Sequence, residues 1–299
     1  MNMVHSWLAS SPDFAVPYAL AALGLILCER AGVLALGAEG LMLAGALAGV
    51  GAQLAFGNSA VSLLAAALAA ATVSVLFATM VIVLRINQVI SGLALVFFCQ
   101  GLTSLLGTAF GWENKTFAGL GPLVLKQNAM VFLTLPIFLA VAFVLSRSTV
   151  GLKLRAVGEN PQAADAAGIS VPLYRFAAVL AGSAIVGLAG GYMSVVSTKL
   201  WVDGMTSGRG WIAVGLVIFA RWSPWRALAG ALLFGCIEAL IPQLAAAGIR
   251  LPQYFVMMTP YAVTLAVMIW VGLAASKGKL GGDGEPGALG EPYVREERR

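Results

Sequence analysis

VSLLAAALAAATVSVLFATMVIVL, residues 61 to 84, is apolar on every face of a helix and contains no charged residue. A hydrocarbon layer of about 30 Å takes around 20 residues of helix, so this stretch is long enough to cross one. The other architecture that crosses lipid, a β-barrel, needs strands of about ten residues with polar and apolar positions alternating, which this stretch lacks. Outward from it the composition is the same. Hydrophobic residues are 60% of the 299 and charged ones 10%, against about 25% charged in an ordinary soluble domain. The apolar length has room for roughly eight to ten crossings and for no large soluble domain. The fold class expected is all-α, a polytopic transmembrane bundle with broken or re-entrant segments among its helices.

Pro, Gly and polar clusters divide the chain into spans near 13–28, 40–57, 60–84, 89–110, 129–146, 176–197, 209–220, 227–247 and 253–273. Threaded alternately with the N-terminus outside, these leave only Lys115, Lys126, Lys199, Arg209 and Arg250 of the 18 basic residues on the outer side. Basic loops stay in the cytoplasm, so the N-terminus is expected outside and the C-terminus inside. The first 29 residues hold no Lys or Arg, so a cleavable signal peptide is not expected. Cys28, Cys99 and Cys236 are isolated in apolar runs and read as small packing residues. His5 stands alone, and no metal or catalytic role is expected for it.

Two stretches, 29–40 and 209–220, are too short or too glycine-rich for regular crossings. Loosened backbone is tolerated at membrane depth where it lines a protein interior or a wet cavity, and glycine equally allows close helix packing; both readings stand for each stretch. Residues 1–274 form the transmembrane domain. Residues 275–299, rich in Gly, Pro and charge, read as a disordered cytoplasmic tail.

The longest polar interval, about 147–175, lies on the basic side. Within it, GENPQAADAAGI (158–169) has the grammar of one short helix. Asn160 can cap it, Pro161 suits the first turn, Glu159 and Asp165 add acidic charge, and Gly168 can adopt the left-handed geometry that closes it. Pro172 prevents continuation. A capped helix between two spans makes a rigid peg at the cytoplasmic face, suited to docking a partner, or a plain loop helix.

Four motifs in order make the chain resemble the permeases of bacterial ATP-binding-cassette importers for simple sugars and nucleosides, grouped with branched-chain amino acid permeases. They are ERAGVLALGAEGLM (29–42), RINQVISGLAL (85–95), GLKLRAVGENPQAADAAGI (151–169) and GRGWIAVGLVIFARWSPWRALAGALLFG (208–235). The resemblance runs from about Leu20 to Gly272. Relatives commonly carry Asn where Ala35 stands here; Ala offers no amide to loosened backbone or solute.

The resemblance implies a subunit of the bacterial cytoplasmic membrane that works with an ATP-binding-cassette ATPase, a second permease subunit and an extracytoplasmic substrate-binding protein. Nucleic acid is not an expected partner. This chain holds no G-x-x-x-x-G-K-[ST] loop, so ATP-Mg is expected on the ATPase and no cofactor on this chain, which is not read as an enzyme. Coupling to the ATPase is assigned to Gly158, Glu159, Asn160, Pro161, Ala164, Asp165 and Gly168.

For a substrate path, Glu39 and Glu238 fall inside apolar segments. A carboxylate there costs about 2.5 to 3.5 kcal/mol on insertion scales and must face a partner, a proton or a cavity. Each either locks helix packing or contacts solute hydroxyls. Asn87, Gln88, Ser91 and Gln100 lie along the fourth span, with Asn87 and Ser91 sharing a face; they serve a solute or bond between helices. Trp201, Trp211, Trp222 and Trp225 are read as interfacial. The rival readings are a branched-chain amino acid permease, whose zwitterionic solute calls for charged partners, and an ion-coupled secondary transporter using Glu39 and Glu238 as ion sites.

Overall fold

The computed structural model describes residues 3–124, 127–248, 258–259, 261–266, 269, 272–273 and 284–295. Its elements, in chain order, are helices α1 (Met3–Glu29), α2 (Ala38–Phe56), α3 (Ser59–Ala78) with a π-turn (Thr79–Val83), and α4 (Gln88–Ala109). A short antiparallel pair, β1 (Pro122–Val124) and β2 (Gln127–Asn128), follows. Then come α5 (Ala129–Arg147), α6 (Thr149–Glu159), α7 (Pro161–Ala166), α8 (Val171–Gly191) with a π-turn (Tyr192–Thr198), α9 (Arg209–Ala220) and α10 (Pro224–Ala246). Among the described residues, seven helices have the length and apolar composition to cross a membrane, and α9 is apolar but short. The expected ninth segment, 253–273, lies largely outside the described residues.

Polar side chains start five of these helices. Asn58, Asn87, Asn128, Ser148 and Asn160 each accept a hydrogen bond from a first-turn backbone N–H of α3, α4, α5, α6 and α7 respectively, satisfying donors that a helix leaves without partners. They set the phase of each helix from within a few residues.

Helix α1 runs through the centre, packed by α8 and α10 and buried along most of its length. Burial on all sides matches its uniformly apolar composition. Helices α2, α3 and α8 pack beside it. Lipid tails are as apolar as leucine, so close van der Waals packing has to bring such helices together. Glycines permit it here: a Cβ on Gly45 would lie 2.7 Å from the Cα of Gly187. Met42 and Gly45 therefore sit against Gly190 and Gly187, 16 to 19 residues into the 28-residue run of α8 and its π-turn. By helical rise, α2 begins about half-way along α8.

Of the two stretches singled out, the first is broken over residues 30–37, while 209–220 is one continuous short helix and the break lies just before it. Residues 30–37 are turns and extended chain that enter the bundle from the end of α1. Residues 202–208 are likewise non-helical, and the 12-residue α9 follows. Since the start of α9 is bonded to the start of α2 (below), α9 also begins at mid-depth, and it returns to the end where α1 finishes: Arg30 donates from Nε and Nη2 to the carbonyl of Trp222, at 3.2 and 3.1 Å.

Several expectations are corrected. The interval between spans is 148–170, because α8 starts at Val171 with Pro172 inside its first turn; proline pre-sets the dihedral of a helix start as readily as it ends one. The interval holds two helices, α6 as well as α7. Arg209, threaded to the outer side, sits inside the bundle in an ion pair with Glu238. Trp201 and Trp222 are buried packing residues: Trp201 lies tight against Gly107, and Trp222 donates from Nε1 to Glu29 Oε2 at 2.5 Å. The tail expected to be disordered is seated over residues 284–295, where Ala288 is buried and its N–H donates to the Gly158 carbonyl at 2.9 Å. Its scarcity of apolar residues predicts no core of its own, but it lies on a surface that supplies donors and acceptors.

Candidate functional site

Glu39, in the first turn of α2, points its carboxylate at the first turn of α9. Oε1 accepts from Thr206 Oγ1 at 2.6 Å and from the Gly208 N–H at 2.7 Å, and Oε2 accepts from the Gly210 N–H at 2.7 Å. Gly208, with φ +83°, has no side chain to cap α9. A residue from another helix therefore supplies the acceptor and the negative charge that a helix N-terminus favours. Gly210 admits this approach: a Cβ there would lie 2.6 Å from the Glu39 Cα. Two interrupted helices meet at one carboxylate in the middle of the bundle.

Beside this junction lies a cavity of about 310 Å³, lined by Glu39, Leu43, Val96, Phe97, Gln100, Gly204, Thr206, Ser207, Gly208 and Trp211. Its volume is at the lower end of small-molecule sites, about 300–1,000 Å³. Gln100, Ser207 and Thr206 offer donors and acceptors, while Phe97 and Trp211 supply aromatic faces. At its margin Ser104 Oγ donates to Asp203 Oδ1 at 2.6 Å.

The residues named for a substrate path divide in three. Glu39 and Gln100 line this cavity. Glu238 does not: it is ion-paired with Arg209 and accepts from the Tyr18 hydroxyl at 2.9 Å, tying α10, α9 and α1 together. Asn87, Gln88 and Ser91 lie at the opening turn of α4, away from the cavity. Asn87 caps the helix, accepting from the Val89 N–H at 2.9 Å and the Ile90 N–H at 3.1 Å. Gln88 is buried, and its Oε1 accepts from the Leu34 N–H in the broken segment at 2.6 Å. Ser91 Oγ is buried with no hydrogen-bond partner among the described residues. Thr206, Ser207, Phe97 and Trp211 were not singled out from sequence as lining; the available signal was that Thr206, Ser207 and Trp211 lie in or beside 208–235 and that Phe97 follows 85–95 by two residues.

At the end shared by Arg30 and Trp222 lies the short capped helix expected within 158–169, here α7. Asn160 Oδ1 accepts from the Ala163 N–H at 2.9 Å, and Pro161 occupies the first turn. Gly168, at φ +81°, closes α7: its N–H donates to the Asp165 carbonyl at 2.9 Å, and the Ile169 N–H donates to the Ala164 carbonyl at 3.0 Å. That pairing is the glycine-terminated helix end in which two orphan carbonyls are satisfied. Ala164 is buried against Val157 and Val171. Gly158 packs directly on the Arg30 carbonyl, with no room for a Cβ. Glu159, Gln162, Ala163, Ala166, Ala167 and Gly168 remain exposed, presenting a small-residue tip. Among the described residues no cluster of His, Cys, Asp or Glu is arranged to hold a metal ion.

Residues 12–271 match the family described as the permease component of branched-chain amino acid transport systems. The chain belongs to this family. The permease is also 36% identical to a putative glucose ABC transporter permease protein of Haloferax volcanii, with 99% of each chain covered. It is 31% identical to a guanosine ABC transporter permease protein of Bacillus subtilis, over 95% of each. A nucleoside ABC transporter permease protein of Lactococcus lactis is 32% identical to it, over 90% of this chain and 93% of that one. The permease is thus a multi-pass membrane transport subunit and not an enzyme. Its peg and its mid-depth junction lie at two levels of one bundle.

Proposed function

We propose that the permease is the membrane subunit of an ATP-driven importer that moves a neutral, polar solute of the sugar or nucleoside kind. The observation that carries this is the charge state of the cavity lining. Glu39 is committed to the N-terminus of α9, and Arg209 and Glu238 are committed to each other. Among the described lining residues no cation is left to meet a carboxylate, and a zwitterion needs one, because an unpaired charge away from water is strongly disfavoured. What remains is an amide, hydroxyls and two aromatic faces. Those replace the water of a hydroxylated ring and stack on a sugar or a base. The same pairing leaves neither Glu39 nor Glu238 free as an ion site. The relatives named for glucose, guanosine and nucleosides support this solute class.

The energy enters at the peg. ATP-Mg is bound and hydrolysed by a partner ATPase whose surface receives the exposed tip of α7. A second permease subunit and an extracytoplasmic substrate-binding protein complete the importer, in the bacterial cytoplasmic membrane. The N-terminus lies outside; the peg, the basic loops and the C-terminus lie in the cytoplasm. Closure of the ATPases draws the pegs together and shifts the bundle between inward-open and outward-open states.

The test is co-purification in mild detergent with candidate ATPase subunits, followed by uptake in proteoliposomes. Wild type is expected to retain an ATPase, and Ala164→Arg and Gly168→Pro are expected to lose it while still inserting. Labelled nucleoside or sugar should be taken up, and leucine should not. Uptake driven by an ion gradient with no ATPase present would overturn the reading.

A further inference from the structure

Residues 284–295 cross the peg end of the molecule and touch most of the elements that finish there. Gly284 lies against the turn between α9 and α10, where a Cβ would be 2.6 Å from the Arg221 carbonyl. The Gly287 N–H donates to Glu159 Oε2 at 3.2 Å, and the Ala288 N–H donates to the Gly158 carbonyl at 2.9 Å. The Glu291 carbonyl accepts from Arg175 Nη1 at 3.0 Å and from Gln88 Nε2 at 3.4 Å. Tyr293 packs on the Val157, Ala164 and Val171 cluster under α7, and Arg295 Nε meets Asp165 Oδ2 at 3.2 Å.

Two features separate this from a tail resting on a surface. Arg175 and Gln88, each 2% exposed, each give one hydrogen bond to the strap's backbone, from Nη1 and Nε2, while Arg175 Nε and Nη2 have no partner among the described residues; removing the strap would take the acceptor from two further buried donors, which is costly. And Gln88 is bonded on both sides. Its Nε2 holds the strap, while its Oε1 holds the Leu34 N–H, in the broken segment that leads within five residues to Glu39. A continuous series of bonded groups therefore runs from Asp165 and Gly158 on the peg, through the strap, to Gln88, Leu34, Glu39 and the start of α9. The strap leaves the tip of α7 uncovered.

We propose that residues 284–295 are a transmission strap: they position the peg against α4 and α8, and carry its displacement to the broken segment beside the cavity. This rests on the importer reading above and deepens it. With the strap in place, the peg cannot shift without drawing Gln88 and Arg175 with it. Without the strap, the peg keeps its exposed tip for the ATPase and its packing on Arg30 and Val171, and loses its bonded link to Gln88 and Arg175. Physical contiguity alone is not coupling, so the measurement has to read coupling itself.

The experiment compares three forms of the full permease with the same ATPase in proteoliposomes: wild type, a chain ending at Asp283, and Gln88→Leu, which keeps the strap and removes its bridge to Leu34. A fourth form, Gly287→Val, places a side chain against the Glu159 carbonyl, 2.9 Å from the built Cβ, and loosens the strap without deleting it. The readout is solute moved per ATP hydrolysed, at equal amounts of assembled complex. The truncated and loosened forms are expected to bind the ATPase as wild type does. The ratio should fall by about fivefold or more, the lower end of coupling between linked sites, and Gln88→Leu should follow them. An unchanged ratio in the truncated chain overturns the proposal. Loss of the ATPase from both strap variants also overturns it, because the strap would then be a docking surface. Failure of wild type itself to hold any ATPase is a different result: it removes the importer reading, and the strap proposal with it.

Discussion

Helices α7 and α9 begin with the same problem and solve it at different range. Each has first-turn N–H groups without helical partners. At α7 the answer comes from the adjacent residue: Asn160 accepts from Ala163. At α9 it comes from Glu39, more than 160 residues away in sequence, whose two oxygens take the N–H groups of Gly208 and Gly210. The near cap belongs to an exposed peg and makes one small helix rigid. The far cap is buried and joins two interrupted helices beside the cavity. A local cap tunes an element, whereas a distant one holds part of the architecture, and the cost of removing each should differ accordingly.

The sharpest way to break that contrast is Glu39→Ala. It leaves the Thr206 hydroxyl and two backbone N–H groups without acceptors, at about 1–3 kcal/mol each for a buried group, so a loss of roughly 3–9 kcal/mol is expected. Thermal unfolding in detergent should show it, and solute uptake should be abolished. Glu238→Leu comes next. The pair is largely shielded, with side-chain exposures of 24% for Arg209 and 14% for Glu238, and stranding the guanidinium should cost about 3–5 kcal/mol. The double variant Arg209→Met with Glu238→Leu should recover most of that stability. If the single variant is as stable as wild type, the pair is not the tie between α9 and α10 described above. The smallest effect belongs to the near cap: Asn160→Ala should cost about 1 kcal/mol, weaken ATPase association measurably in a titration, and leave uptake intact once the ATPase is saturating. A loss at Asn160 as large as that at Glu39 would erase the distinction.

Much of the peg was legible in the sequence because its signals act over a few residues: Asn160, Pro161 and Gly168 each do at their own positions what their chemistry predicts. The cavity was legible only in part. Glu39 and Gln100 belong to it, but Asn87 and Gln88, polar residues at the start of an apolar span, cap a helix and bridge to the strap. Nothing in their spacing separates a side chain that faces a solute from one that faces a backbone amide. Phe97 and Trp211 look like any aromatic residue of a membrane helix until Gly204–Gly208 is folded next to them. The Trp201 and Trp222 rings also resembled interfacial anchors, and they are internal because Gly107 and Glu29 leave a place for them.

The sequence by itself determined the solvent, the helical class, the break after α1, the shortness of 209–220 and the capped helix α7, because hydropathy, glycine content and helix capping are properties of neighbouring residues. Only the tertiary structure decided which carboxylate caps which helix, where Arg209 hides its charge, and that residues 284–295 are seated as a strap. Those outcomes depend on pairs of groups far apart in the chain. A buried donor or acceptor takes whichever partner the fold brings within about 3 Å, and one chain read alone carries no record of that distance.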